Sequence, residues 1–78
     1  MNLYQKLQQG IAAAKAGNRE EARTLLMEVV ETDERQILAW MWLSRVLDDL
    51  DDKQICFENI LALAPNNEFA LKGMAWLE

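Results

Sequence analysis

Seventy-eight residues make one small domain, and 51 % of them are apolar, enough for a packed core and far from a disordered composition. The formal charge is −5, from 13 acidic and 8 basic residues, which argues against nucleic acid or an anionic membrane surface as a partner, since both select a basic face. Histidine is absent, so the commonest general base near neutral pH is missing, and the lone Cys56 has no second cysteine for a disulfide.

The catalytic signatures are also missing: there is no glycine-rich phosphate loop, zinc-ligand spacing or nucleophile elbow. Cys56 lies on an apolar stripe, which raises a thiol pKa and makes it inert. A non-enzyme without a cofactor or metal is expected. No run approaches the roughly 18 apolar residues that a membrane span needs. The start, MNLYQKLQQG, lacks the basic and apolar regions of a secretory leader. These features predict a cytoplasmic chain.

The first predicted helix covers 3–16, with Asn2 as its N-cap and Leu3, Leu7, Ile11 and Ala14 along one stripe. Gly10 falls inside it, at a cost of about 1 kcal/mol relative to alanine, and marks a close approach by another helix. Gly17 supplies a left-handed stop, and Asn18 with Glu21 forms an N-x-x-E capping-box pattern for a second helix over 19–31. Ala22, Leu25, Leu26, Val29 and Val30 form its inner face. Asp33 is the candidate cap for the third helix.

That third stretch, Ile37 to Leu47, holds two of the three tryptophans. Ala39, Trp40, Leu43, Val46 and Leu47 recur at helical spacing, and Leu38, Met41 and Trp42 widen the apolar surface well beyond one stripe. Such a helix is buried on two sides, or on one side with a partner on the other. A fourth helix over 52–64, capped by Asp51 with Gln54, carries Cys56, Phe57, Ile60 and Leu61. Pro65-Asn66-Asn67 then breaks the chain and caps a fifth helix, 67–77, with Phe69, Ala70, Leu71, Met74 and Trp76. No segment alternates as a half-buried strand does, so the fold class is all-α.

The chain also repeats itself. Val29-Val30 laid over Ile60-Leu61, a spacing of 31 residues, places Leu26 on Phe57, Ala39 on Ala70 and Leu43 on Met74. A comparison one helix earlier pairs Leu7 with Met41 and Gly10 with Ser44 at a spacing of 34. Helix pairs that recur at this interval cannot bury their faces alone and therefore stack. Trp40-x2-Leu43-Ser44-x2-Leu47, Ala22-x3-Leu26 and Pro65-Asn66-Asn67 are similar to the W-x2-L-G-x2-Y, A-x3-F and P elements of tetratricopeptide repeats. Serine here replaces the family's glycine, leucine its tyrosine, and Glu34 the proline of the earlier unit.

The resemblance covers about residues 3–77. It implies antiparallel helix-turn-helix units in a short right-handed solenoid of five helices: a first repeat over 3–36, a second over 37–66, and a capping helix over 67–78. It also implies a concave face lined by the first helix of each pair. The residues placed there are Tyr4, Leu7 and Ile11, then Leu38, Met41, Trp42 and Arg45, then Phe69, Lys72, Gly73 and Trp76. Aromatics and methionine near an arginine are what an interface core is made of, so the expected function is binding of a protein or peptide partner through an apolar or amphipathic segment. Trp42 would be the anchor, with Met41 adapting to the guest. The same side chains also fit a homodimer, a scaffold segment of a larger protein, or the finishing of a core short of neighbours.

Some members of that family grip C-terminal carboxylates with a lysine, arginine and asparagine clamp. The corresponding positions here are Leu7, Ile11, Trp42, Phe69 and Gly73, none of which suits it. The acidic turn Asp48-Asp49-Leu50-Asp51-Asp52 lacks the glycine and glutamate of a calcium loop in either register. Capping of the next helix explains Asp51 and Asp52 without a metal. DNA reading needs basic side chains along one helix, and the third helix offers only Arg45.

Overall fold

The computed structural model describes residues 1–78. Asn2 starts the first helix: its Oδ1 accepts the Gln5 backbone N–H at 2.7 Å, and Gln5 Oε1 accepts the Asn2 N–H at 3.2 Å, a reciprocal capping box. Helix α1 runs Leu3–Lys15. It ends as Gly17 predicts, at φ 84°. There the Asn18 N–H donates to Ala13 O at 2.9 Å and the Gly17 N–H to Ala14 O at 3.2 Å, the paired bonds of a Schellman stop.

Helix α2 spans Arg19–Thr32, and the expected Asn18–Glu21 capping box does not form. Asn18 is still the N-cap residue, its carbonyl accepting the Ala22 N–H at 3.0 Å, but its side chain makes no capping bond. A second correction concerns Asp33, which does not cap α3. Its carboxylate instead accepts the Arg35 N–H at 3.0 Å and the Gln36 side-chain amide at 3.1 Å, shaping the turn before the helix. Those two bonds, Gln36 first, hold its pKa below the ordinary value. Gln36 itself is the N-cap of α3, Ile37–Val46.

The acidic turn holds a third difference. Helix α4 runs Leu50–Leu63 and is capped by Asp49, whose carboxylate accepts the Asp52 N–H at 3.1 Å. The cap therefore lies two residues before Asp51, because Leu50 already opens the first turn. Asn67 caps α5, Glu68–Leu77, by accepting the Ala70 N–H at 2.9 Å, as the Pro-Asn-Asn signal predicts.

Five helices and no strand make the fold all-α. Each helix packs on the next, and α1 also touches α3. The directions alternate. Lys6 pairs with Glu28 and Gly10 lies on Leu26, so α1 and α2 run antiparallel. Arg19, opening α2, and Lys53, in the first turn of α4, reach Val46 and Ser44 at the end of α3, so α3 runs antiparallel to both, and Phe57 of α4 meets Gly73 of α5. A Cβ on Gly10 would lie 2.9 Å from Leu26 Cδ2, so this glycine does admit a neighbouring helix.

Two clusters fill the interior. The larger joins α1, α2 and α3 to Cys56 through Leu7, Ile11, Leu26, Val29, Ala39 and Leu43; the smaller is Phe57, Ile60 and Ala70 between α4 and α5. Trp40 packs against both. It is half-buried, and its indole N–H donates to the Glu34 carbonyl at 2.8 Å. Replacing Trp40 with alanine should cost about 3 kcal/mol, the low end for an aromatic truncation because the ring is not sealed; urea denaturation followed by circular dichroism measures it.

Gly73 lies against the Phe57 ring, where a Cβ would stand 2.5 Å from Cζ. Gly73→Ala gains about 1 kcal/mol in helix propensity but costs about 1 to 3 in overpacking. The expected result is a lower melting temperature by calorimetry. An increase would show that α5 moves off Phe57 at no cost.

Candidate functional site

One stripe of α3 carries Leu38, Trp42 and Arg45 at i, i+4 and i+7. The Arg45 guanidinium lies 4.7 Å from the centre of the Trp42 ring and 5.4 Å from that of Phe69 in α5. Lys15, from the end of α1, places its ammonium 5.7 Å from the Trp42 ring. A ladder of Lys15, Trp42, Arg45 and Phe69 therefore crosses three helices, with cations and rings alternating. Each step is worth about 0.5 to 1 kcal/mol at an exposed site. Trp42 is half-buried beneath its two cations.

The ladder continues into a shallow depression of about 320 Å³, lined by Ser44, Arg45, Lys53, Phe57, Phe69, Lys72, Gly73 and Trp76. Phe69 meets Phe57 edge-on at 5.8 Å, which fixes the floor. Trp76 is 66 % exposed and stands over one side. Ser44 is buried, its hydroxyl donating to Met41 O at 2.6 Å, and Lys53 donates to Ser44 O at 2.6 Å.

The residues expected on this face divide into four groups. The structure brings Trp42, Arg45, Phe69, Lys72, Gly73 and Trp76 together. Tyr4 and Leu38 are exposed, at 69 % and 48 %, and Leu38 lies one turn before Trp42. Met41 is half-buried against the α4–α5 cluster. Leu7 and Ile11 belong elsewhere: both are buried in the larger core, because the close α1–α2 approach at Gly10 turns that stripe inward. In their place α1 contributes Lys15, which composition and spacing did not single out.

Charge is divided between the odd and even helices. Helices α1, α3 and α5 carry Lys6, Lys15, Arg45 and Lys72 against one acid, Glu68. Helices α2 and α4 carry seven carboxylates against three cations. The ion pairs are Lys6 with Glu28 and Arg19 with Asp48, so Lys15, Arg45 and Lys72 have no carboxylate partner. Arg19 also donates to Val46 O at 2.9 Å, tying the start of α2 to the acidic turn and giving Asp48 a structural task.

A second concavity, about 700 Å³, opens between α2 and α4, which both pack on α3 and hardly on each other. Its apolar lining is Met27, Trp40, Leu43, Leu47, Ile55 and Cys56, and its polar lining Arg23, Thr24, Glu28, Glu31 and Asp52. Met27 and Ile55 were not marked by the sequence, since each lies beside the main apolar stripe of its helix rather than on it. Cys56 is 1 % exposed, and burial, aided by the nearby Asp52 charge, pushes its thiol up to about 11. Iodoacetamide at pH 8 should modify Cys56 far more slowly in the folded protein than in urea, about a hundredfold from thiolate depletion alone. Mass spectrometry measures this, and equal rates would show that the thiol is open to solvent.

Compared with known proteins, the chain matches no family model, no curated protein and no solved structure. No helix is long and apolar enough to cross a membrane.

Proposed function

We propose that this protein is a non-catalytic, cytoplasmic interaction module that docks an apolar or amphipathic segment of a partner protein across α1, α3 and α5. The finer architecture belongs to the same reading: a short right-handed stack of tetratricopeptide-like hairpins, supported by the repeat spacing, the alternating helix directions and the α1–α3 contact.

One observation carries it. The Lys15–Trp42–Arg45–Phe69 ladder joins three helices at the surface, beside an exposed Trp76. Interior packing does not require an indole roofed by cations, whereas interface hot spots are rich in tryptophan and arginine. A second reading, self-association, is favoured by the charge division, since a basic odd-helix face complements the acidic even-helix face of another copy. A strict monomer in light scattering at high concentration removes it.

Selection of displayed random peptides against the protein tests the main reading. Selected segments should shift the amide resonances of Lys15, Trp42, Arg45 and Phe69. Trp42→Ala should weaken them about thirtyfold, as a hot-spot truncation does, while costing clearly less stability than Trp40→Ala. Binders that map to the α2–α4 cleft instead, or equal destabilisation by the two substitutions, would overturn it.

A further inference from the structure

The cations of the odd-helix face identify the kind of segment it takes. The Arg45 guanidinium lies between two rings, 4.7 Å from the centre of Trp42 and 5.4 Å from that of Phe69. Ring contacts do not use up the N–H donors of a guanidinium, and those donors form the fork that fits a carboxylate with two parallel hydrogen bonds. Arg45 has no side-chain hydrogen-bond or ion-pair partner within the chain, and neither has Lys15 or Lys72, although 13 carboxylates are present. Three cations without acids, beside the half-buried rings of Trp42 and Phe69 and the exposed Trp76, thus occupy one face of a protein of charge −5.

We propose that the occupant is an acidic amphipathic segment of a partner protein, its carboxylates meeting Lys15, Arg45 and Lys72 while its apolar side chains lie against Trp42, Phe69 and Trp76. The inference rests on the docking reading above and adds the sign of the partner's charge. The chain's own net charge does not decide against it. Screening over about 8 Å at physiological salt means that cations in direct contact with a guest count for more than acids elsewhere on the surface. Nucleic acid fits less well, because a regular row of phosphates needs a continuous basic track, whereas here Lys15, Arg45 and Lys72 are separated, Lys53 donates to Ser44 O, and Glu68 lies one turn before Lys72.

The test titrates the full chain with three synthetic helical peptides sharing one tryptophan–leucine stripe. Their polar positions are all glutamate, all glutamine or all lysine, and binding is followed by calorimetry and amide shifts. The glutamate peptide should bind about tenfold tighter than the glutamine one at low salt, with the advantage shrinking as salt screens the contacts. The lysine peptide should bind weakest. Arg45→Glu should reverse the order, and Lys72→Glu, at an exposed position away from the stacked rings, should reduce the preference without loosening Trp42. Equal binding of the glutamate and glutamine peptides, or tighter binding of lysine, overturns the charge inference and leaves the docking reading standing. If none of the three shifts a resonance of the face, the docking reading fails with it. Tighter binding of oligouridylate or phosphatidylserine vesicles than of the glutamate peptide reassigns the face and overturns the proposal, and so does association of the free protein with itself through these residues.

Discussion

The structure depends on one indole. Trp40 is the side chain that packs against both hydrophobic clusters, and around it Cys56 of α4 enters the larger cluster while Ile37 and Met41 of α3 pack on the smaller one. A chain of 78 residues has little interior to spare. Joining two small cores through one large ring is an economical way to make them act as one. The ring stays partly open to solvent, since it also lines the gap between α2 and α4, and its N–H is satisfied by Glu34 O rather than by water. That bond draws the α2–α3 turn over the ring and couples a local turn to the long-range seam.

Much of this is legible from residue spacing. Apolar periodicity locates five helices, and the small residues Gly10, Gly17 and Asn67 each perform the expected local task. Where expectation and structure differ, two local demands compete for one residue. Asn18 closes α1 through its N–H and starts α2 through its carbonyl without a side-chain cap, while Asp33 shapes a turn and leaves the cap position to Gln36. Asp49 precedes Asp51 because leucine at position 50 is as acceptable in a first helical turn as aspartate. Capping signals identify that a helix begins nearby, but choosing between adjacent candidates requires the turn geometry.

The candidate face was legible in part. Residues at i, i+4 and i+7 on α3 and α5 come together as their spacing implies. On α1 the stripe of Leu7 and Ile11 faces inward, and its boundary was set by how deeply Gly10 lets α2 approach, a distance that no one-dimensional pattern contains. The importance of Lys15 was hidden for a similar reason. At the end of α1 it reads as an ordinary C-terminal cation, and only the α1–α3 contact places it over a ring 27 residues later. The division of charge between odd and even helices was present in the sequence all along, yet it becomes a property of faces only once helix order and direction are known.

The three tryptophans occupy three unlike settings: one hydrogen-bonded to a carbonyl in the seam between cores, one roofed by cations, and one in solvent near the end of α5. Indole fluorescence responds to each of these surroundings differently. The chain thus carries built-in optical reporters for its core junction, its aromatic ladder and its last helix, and single-tryptophan versions would let each be watched without adding a dye.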